Sequence, residues 1–144
     1  KPKQFIMKTK LKSQFTKGLV LVFTLVLVSF FVAPQQAAKP WVIPAKYKTM
    51  KNTMAGDKAS ISVGKSIFAK HCASCHGKKG LGDGTKAASL KTYPGDFSSD
   101  EFKAQKDGEM YYKSFVGRDE MPNFEKKILD DEDRWSLINF MRSL

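Results

Sequence analysis

The chain has 144 residues, with 25 Lys and Arg against 14 Asp and Glu, giving a formal net charge of +11. That length suits one modest domain and little beyond it. The charge does not point to nucleic acid: it is spread as scattered lysines, with no arginine cluster and no recognition motif, and six of those lysines stand in a terminal block.

In chain order, residues 1–17 hold Lys1, Lys3, Lys8, Lys10, Lys12 and Lys17 and no acid, and Met7, which opens the string MKTK, reads as a start. Residues 18–33, GLVLVFTLVLVSFFVA, are uncharged and almost wholly apolar. As a helix they would run about 24 Å, slightly short of a bilayer core of about 30 Å. A basic block before an apolar run is the grammar of a secretory signal or an N-terminal membrane anchor, and the APQQAA that follows only loosely resembles a cleavage site. Cleaved signal and retained transmembrane anchor therefore both stand. Either one sends the remainder across a membrane and keeps the lysines on the cytoplasmic side.

Residues 34–59, rich in Pro, Lys and Ala without a clear period, read as a linker, and residues 60–144 read as the packed domain. A domain of that size buries little surface and usually needs a staple. Residues 39–91 carry 11 lysines against Asp57 and Asp83, whereas residues 92–144 carry eight basic residues against 12 acidic ones. A basic face in the first of these stretches would steer the protein toward an acidic partner.

The only two cysteines stand in Cys72-Ala73-Ser74-Cys75-His76. The C-x-x-C-H string reads as c-type haem attachment. Two thiols one helical turn apart can reach the two vinyl groups of one porphyrin, and the following His76 then lies under the iron as an axial ligand. A structural zinc site needs four ligands, commonly from paired Cys and His, and His71 and His76 are the only histidines. A thioredoxin-like redox pair needs a βαβ setting, which no strand-rich pattern supplies. A disulfide within C-x-x-C would close a very small loop and contribute little.

Residues 60–144 resemble class I monohaem cytochromes c of bacteria. The likeness rests on the haem string, on Gly64 and Phe68 four residues apart in the first helix with Ile67 beside them, and on the Gly-rich stretch from Gly77 to Gly84. No strand precedes those glycines, so a phosphate-binding loop lacks its context. The resemblance implies an all-α class I cytochrome c fold: about three to five short helices around one covalent haem c, here preceded by the apolar N-terminal helix. Ser60 or Ser62 is placed to cap the first helix. The last helix is expected over residues 131–144, capped by Asp130 or Asp131, with acids in its first turn and Arg142 near its end. In the family this helix crosses the first, with Leu137 and Phe140 meeting the Gly64/Phe68 pair. Trp135 stands where its indole N–H reaches a haem propionate, or where it simply packs in the core.

For the second axial ligand, His71 is adjacent to Cys72 and cannot wrap to the opposite haem face. Methionine is the usual alternative and raises the potential. Of the six methionines, Met7, Met50 and Met54 precede the domain, and Met110 (in a helix expected over residues 107–116) and Met141 read as core. Met121 stands in a turn-rich loop, directly before Pro122, which biases it away from helix. The family's distal methionine commonly occupies a short Met-Pro loop before the final helix, so the resemblance implies Met121 as ligand. A backbone carbonyl after the haem string normally accepts the proximal histidine's N–H; Pro94 marks a turn there without a pattern close enough to assign it.

The function implied is one-electron transfer by an electron carrier or electron-transfer subunit rather than an enzyme. The expected partners are a quinol-oxidising complex and a terminal oxidase or periplasmic reductase. The expected location is the periplasmic side of a bacterial inner membrane, anchored by residues 18–33, or the soluble periplasm. The rival reading is a haem-based sensor or ligand-binding domain with an open distal site, and Met121 is the residue that separates the two.

Overall fold

The computed structural model describes residues 39–144, so the apolar run at residues 18–33 lies outside the described residues. Among those residues the regular structure is helical, there is no strand, and no helix is long and apolar enough to cross a membrane. The helices are α1 (Ala45–Lys48), α2 (Ser60–His71), α3 (Ala73–His76), α4 (Asp100–Lys103), α5 (Asp107–Tyr111) and α6 (Asp131–Arg142). A 3₁₀ turn covers Ala87–Ser89, and a π turn, Tyr112–Val116, continues α5.

The core forms where α2 crosses α6. Ser60, Gly64 and Phe68 are buried at four-residue spacing and so line one face of α2. Trp135, Ser136, Leu137, Ile138, Phe140 and Met141 give α6 a broad buried face. Gly64 sits at the crossing, where a Cβ would collide with the Ser136 carbonyl and the Phe140 Cβ. Its lack of a side chain lets the two backbones approach, and Phe68 then packs on Phe140 with ring centroids 5.2 Å apart. This is the crossing expected from the sequence, with Phe140 meeting both Gly64 and Phe68 and the Ser136 carbonyl as a further near neighbour of Gly64.

The helix starts differ in detail from expectation. Asp130 caps α6 by accepting from the Glu132 amide at 2.8 Å. Neither Ser60 nor Ser62 caps α2: their hydroxyls donate backward to the carbonyls of Asp57 and Ala59 at 2.7 and 3.0 Å. Asp57 takes the capping role, accepting from the Ala59 amide at 2.8 Å. The helix expected over residues 107–116 divides at Tyr112, where the winding widens and the Gly117 amide reaches the Tyr112 carbonyl at 3.4 Å. α6 ends at Arg142, two residues before the end expected for it.

Residues 39–59, the part of the expected linker that is described, pack on the domain. Tyr47, Met50 and Met54 lie against the core cluster, and the Tyr47 ring meets Tyr112 at 4.8 Å. Asn52 donates to Asp107 Oδ2 at 2.9 Å and to Asn139 Oδ1 at 2.8 Å. Asn139 donates in turn to the Met54 carbonyl and to Ser60 Oγ, both at 2.8 Å. Four polar side chains thereby satisfy one another beside the α2–α6 crossing, as partly buried groups must.

Candidate haem site

The candidate site begins where α2 ends. The Cys72 amide still bonds back to the Phe68 carbonyl at 2.9 Å, and α3 then adds one turn in which the His76 amide reaches the Cys72 carbonyl at 3.0 Å. This junction brings together three of the four expected site residues, Cys72, Cys75 and His76. Both cysteines are free thiols. Burial, helped by the neighbouring Cys75, pushes the Cys72 thiol up to about 12, so it stays protonated at neutral pH.

The ring of His76 is packed rather than free. It lies 4.8 Å from the Phe97 ring, and Phe97 in turn stacks on Phe102 at 4.2 Å. The Phe97 amide is tied to the Gly80 carbonyl at 2.7 Å, and the Gly82 amide to the His76 carbonyl at 2.8 Å, so the Gly-rich loop folds back over the histidine. Burial lowers the His76 pKa to about 4, with the Pro94 backbone acting in the opposite sense. His76 Nδ1 is out of solvent and completes no hydrogen bond of good geometry. The sequence marks a turn at Pro94 without assigning it a partner, and His76 Nδ1 makes no hydrogen bond with it.

Met121 lies elsewhere in the chain but against the same cluster. Cys72 belongs to the buried core, and Met121 packs half-buried on it. The methionine ends a tight turn in which the amides of Arg118 and Met121 each bond to the other's carbonyl at 2.8 Å. Gly117, at φ 68, precedes the turn, and a Cβ there would strike the Met121 and Pro122 carbonyls.

The other candidates are accounted for. Met110 and Met141 are buried in the core, as their helical positions implied. His71 packs edge-on against Phe124 at 5.8 Å, its pKa lowered by burial and by Lys70 and Lys127. The Trp135 indole N–H is already engaged, donating to Asp131 Oδ2 at 3.0 Å from a fully buried ring. Of the two roles open to Trp135, the structure shows core packing. The acid that captures its N–H is one turn earlier on the same helix, a pairing the sequence contains but does not advertise.

A covalently attached haem fits these residues: two reduced thiols one turn apart to take up its vinyl groups, followed by a partly buried imidazole whose Nδ1 has no hydrogen-bond partner. The family model for Cytochrome c matches residues 61–144. No curated protein matches the chain. The match covers more than half of the chain and the whole of the haem string, and the chain therefore belongs to the cytochrome c family, whose domain binds covalently attached haem c.

Proposed function

We propose that Cys72 and Cys75 carry the two thioether links, that His76 and Met121 are the axial ligands, and that the protein passes single electrons from a quinol-oxidising complex to a terminal oxidase or periplasmic reductase. Haem-based electron transfer follows from family membership. The partners, and a site on the periplasmic face of a membrane with residues 18–33 as anchor or signal, are our reading of the basic-then-apolar N-terminus.

The observation that carries the site assignment is His76. An imidazole held neutral by burial is a competent metal donor. The shielded Nδ1 has no hydrogen-bond partner, and Nε2 is the ring atom we assign to the iron. When bound, the haem supplies a one-electron ferrous/ferric couple. Around it the chain's own residues do the rest. Phe97, Phe102 and Phe68 wall the His76 side with apolar rings, excluding water. The Met121 thioether favours the ferrous state. Lys65, Lys70, Lys78, Lys79, Lys86 and Lys91 are exposed along and after α2 and α3, a basic surface beside the attachment turn that suits an acidic redox partner.

Intact mass of the matured protein tests attachment directly. The wild type is expected to carry one covalent haem and the Cys72→Ala variant either a single-thioether haem or none. A full doubly linked haem in that variant would overturn the assignment. Ready carbon monoxide binding by the native ferrous protein would favour the open-site sensor instead.

A further inference from the structure

Met121 sits on a loop that is gripped from two directions by side chains without any role in the ligation proposed above. The turn itself is short and strained: Asp119 adopts φ 48, a left-handed conformation that non-glycine residues rarely keep without support. The two flanking side chains supply that support. On one side, the Glu120 carboxylate accepts the Lys91 amide at 3.0 Å and the Thr92 amide at 3.1 Å, just beyond the 3₁₀ turn. On the other, the Arg118 guanidinium donates to the Pro40 carbonyl at 2.9 Å and to the Lys39 carbonyl, and lies 4.0 Å over the Trp41 ring. Trp41 closes the circle by packing edge-on against Tyr112 of the π turn at 6.1 Å. Downstream, the Phe124 amide bonds to the Phe115 carbonyl at 2.9 Å, and Arg134 holds the carbonyls of Glu125 and Ile128 at 2.8 and 2.7 Å.

We propose that Glu120 and Arg118 are positioning residues that keep Met121 in place as the distal ligand, with residues 39–41 as a strap across its loop. This rests on the reading of Met121 as that ligand. The physical argument is one of linked equilibria. An external ligand can take the iron's sixth position only when Met121 withdraws, and withdrawal requires the turn to leave Lys91, Thr92, Pro40 and Trp41. The clamp's charge-assisted bonds therefore lower the open fraction, and the apparent affinity for an external ligand falls by that same fraction.

The test is an imidazole titration of the ferric holoprotein, followed at the weak far-red methionine–iron absorption band. The wild type should show the band and Met121→Ala should lack it; a wild type without the band means that Met121 is not the ligand, and the proposal falls with that reading. With the band present in the wild type, Glu120→Ala should bind imidazole about five- to tenfold more tightly. A rise of threefold or more upholds the clamp and a smaller one overturns it. Glu101→Ala removes the same charge from exposed α4. An equal rise there would assign the effect to charge rather than contact and would also overturn the proposal. Arg118→Lys keeps the charge but loses the planar fork and the stacking. It should move affinity in the same direction, and the same threefold criterion applies to it should Glu120→Ala fail to mature.

Discussion

His76 is neutral throughout the range of pH a cell maintains, because burial holds its pKa near 4, and so it needs no deprotonation step before it can donate to a metal. As the distal ligand we propose, Met121 would offer a softer and more easily displaced donor. Its replacement by Ala should lower the midpoint potential by on the order of 100 mV, equivalent to losing roughly a fiftyfold preference for the reduced state. Redox titration of the variant measures this, and an unchanged potential would remove Met121 from the site. At this scale the sequence was most legible where chemistry requires adjacency. Cys72, Cys75 and His76 are local in the chain and are brought together by a single helical turn. It was least legible where a neighbour arrives through a long loop, as Phe97 does beside His76, or where one side chain has two uses open to it, as Trp135 has.

Helix crossings and turns convert those residues into a site. Gly64→Ala would push a methyl group into the Ser136 carbonyl and pry α2 from α6. We expect a loss of about 1–3 kcal/mol in denaturant unfolding of the holoprotein, read with the covalent haem intact. The segment that positions Phe97 has its own acid sensitivity. Asp96 accepts from Ser98 Oγ at 2.6 Å and from the Ser98 amide at 2.8 Å, and these bonds hold its carboxyl below the ordinary 3.8. A folded-state pKa depressed in this way contributes stability that is present above the unfolded value and lost as pH falls through the folded one. Asp96→Asn should therefore be less stable than wild type at neutral pH, and the gap should narrow below about pH 4; thermal melts across that range would show it. Element boundaries followed from sequence where caps are chemically explicit, as with Asp130 before α6. They slipped where two residue types compete for one job, Asp57 prevailing over Ser60 and Ser62. The widened winding at Tyr112 has no composition signal, since its apolar residues keep a pattern that an ordinary helix would also satisfy.

Over the whole molecule, charge is divided along the chain, with lysine concentrated in residues 39–91 and acids in residues 92–144. Electron transfer to an acidic partner should slow as ionic strength rises, most steeply below about 0.15 M, where the screening length is still near 8 Å or more. Stopped-flow rates against salt would settle the point, and a flat dependence would exclude steering. The division into a linker and a domain at residue 60 followed from composition, because Pro, Lys and Ala conceal the aromatic and sulfur side chains that matter. Tyr47, Met50 and Met54 are sparse in sequence, yet they all face the core cluster. Residues 61–144 mark where kinship is recognisable, but the folding unit begins earlier. A polypeptide trimmed to the span of the family match would forfeit the Asn52 bonds, the Tyr47–Tyr112 ring contact and the carbonyls that receive Arg118. It should unfold with roughly 2–4 kcal/mol less resistance than the longer chain, and shared ancestry would then be a poor guide to where this protein can safely be cut.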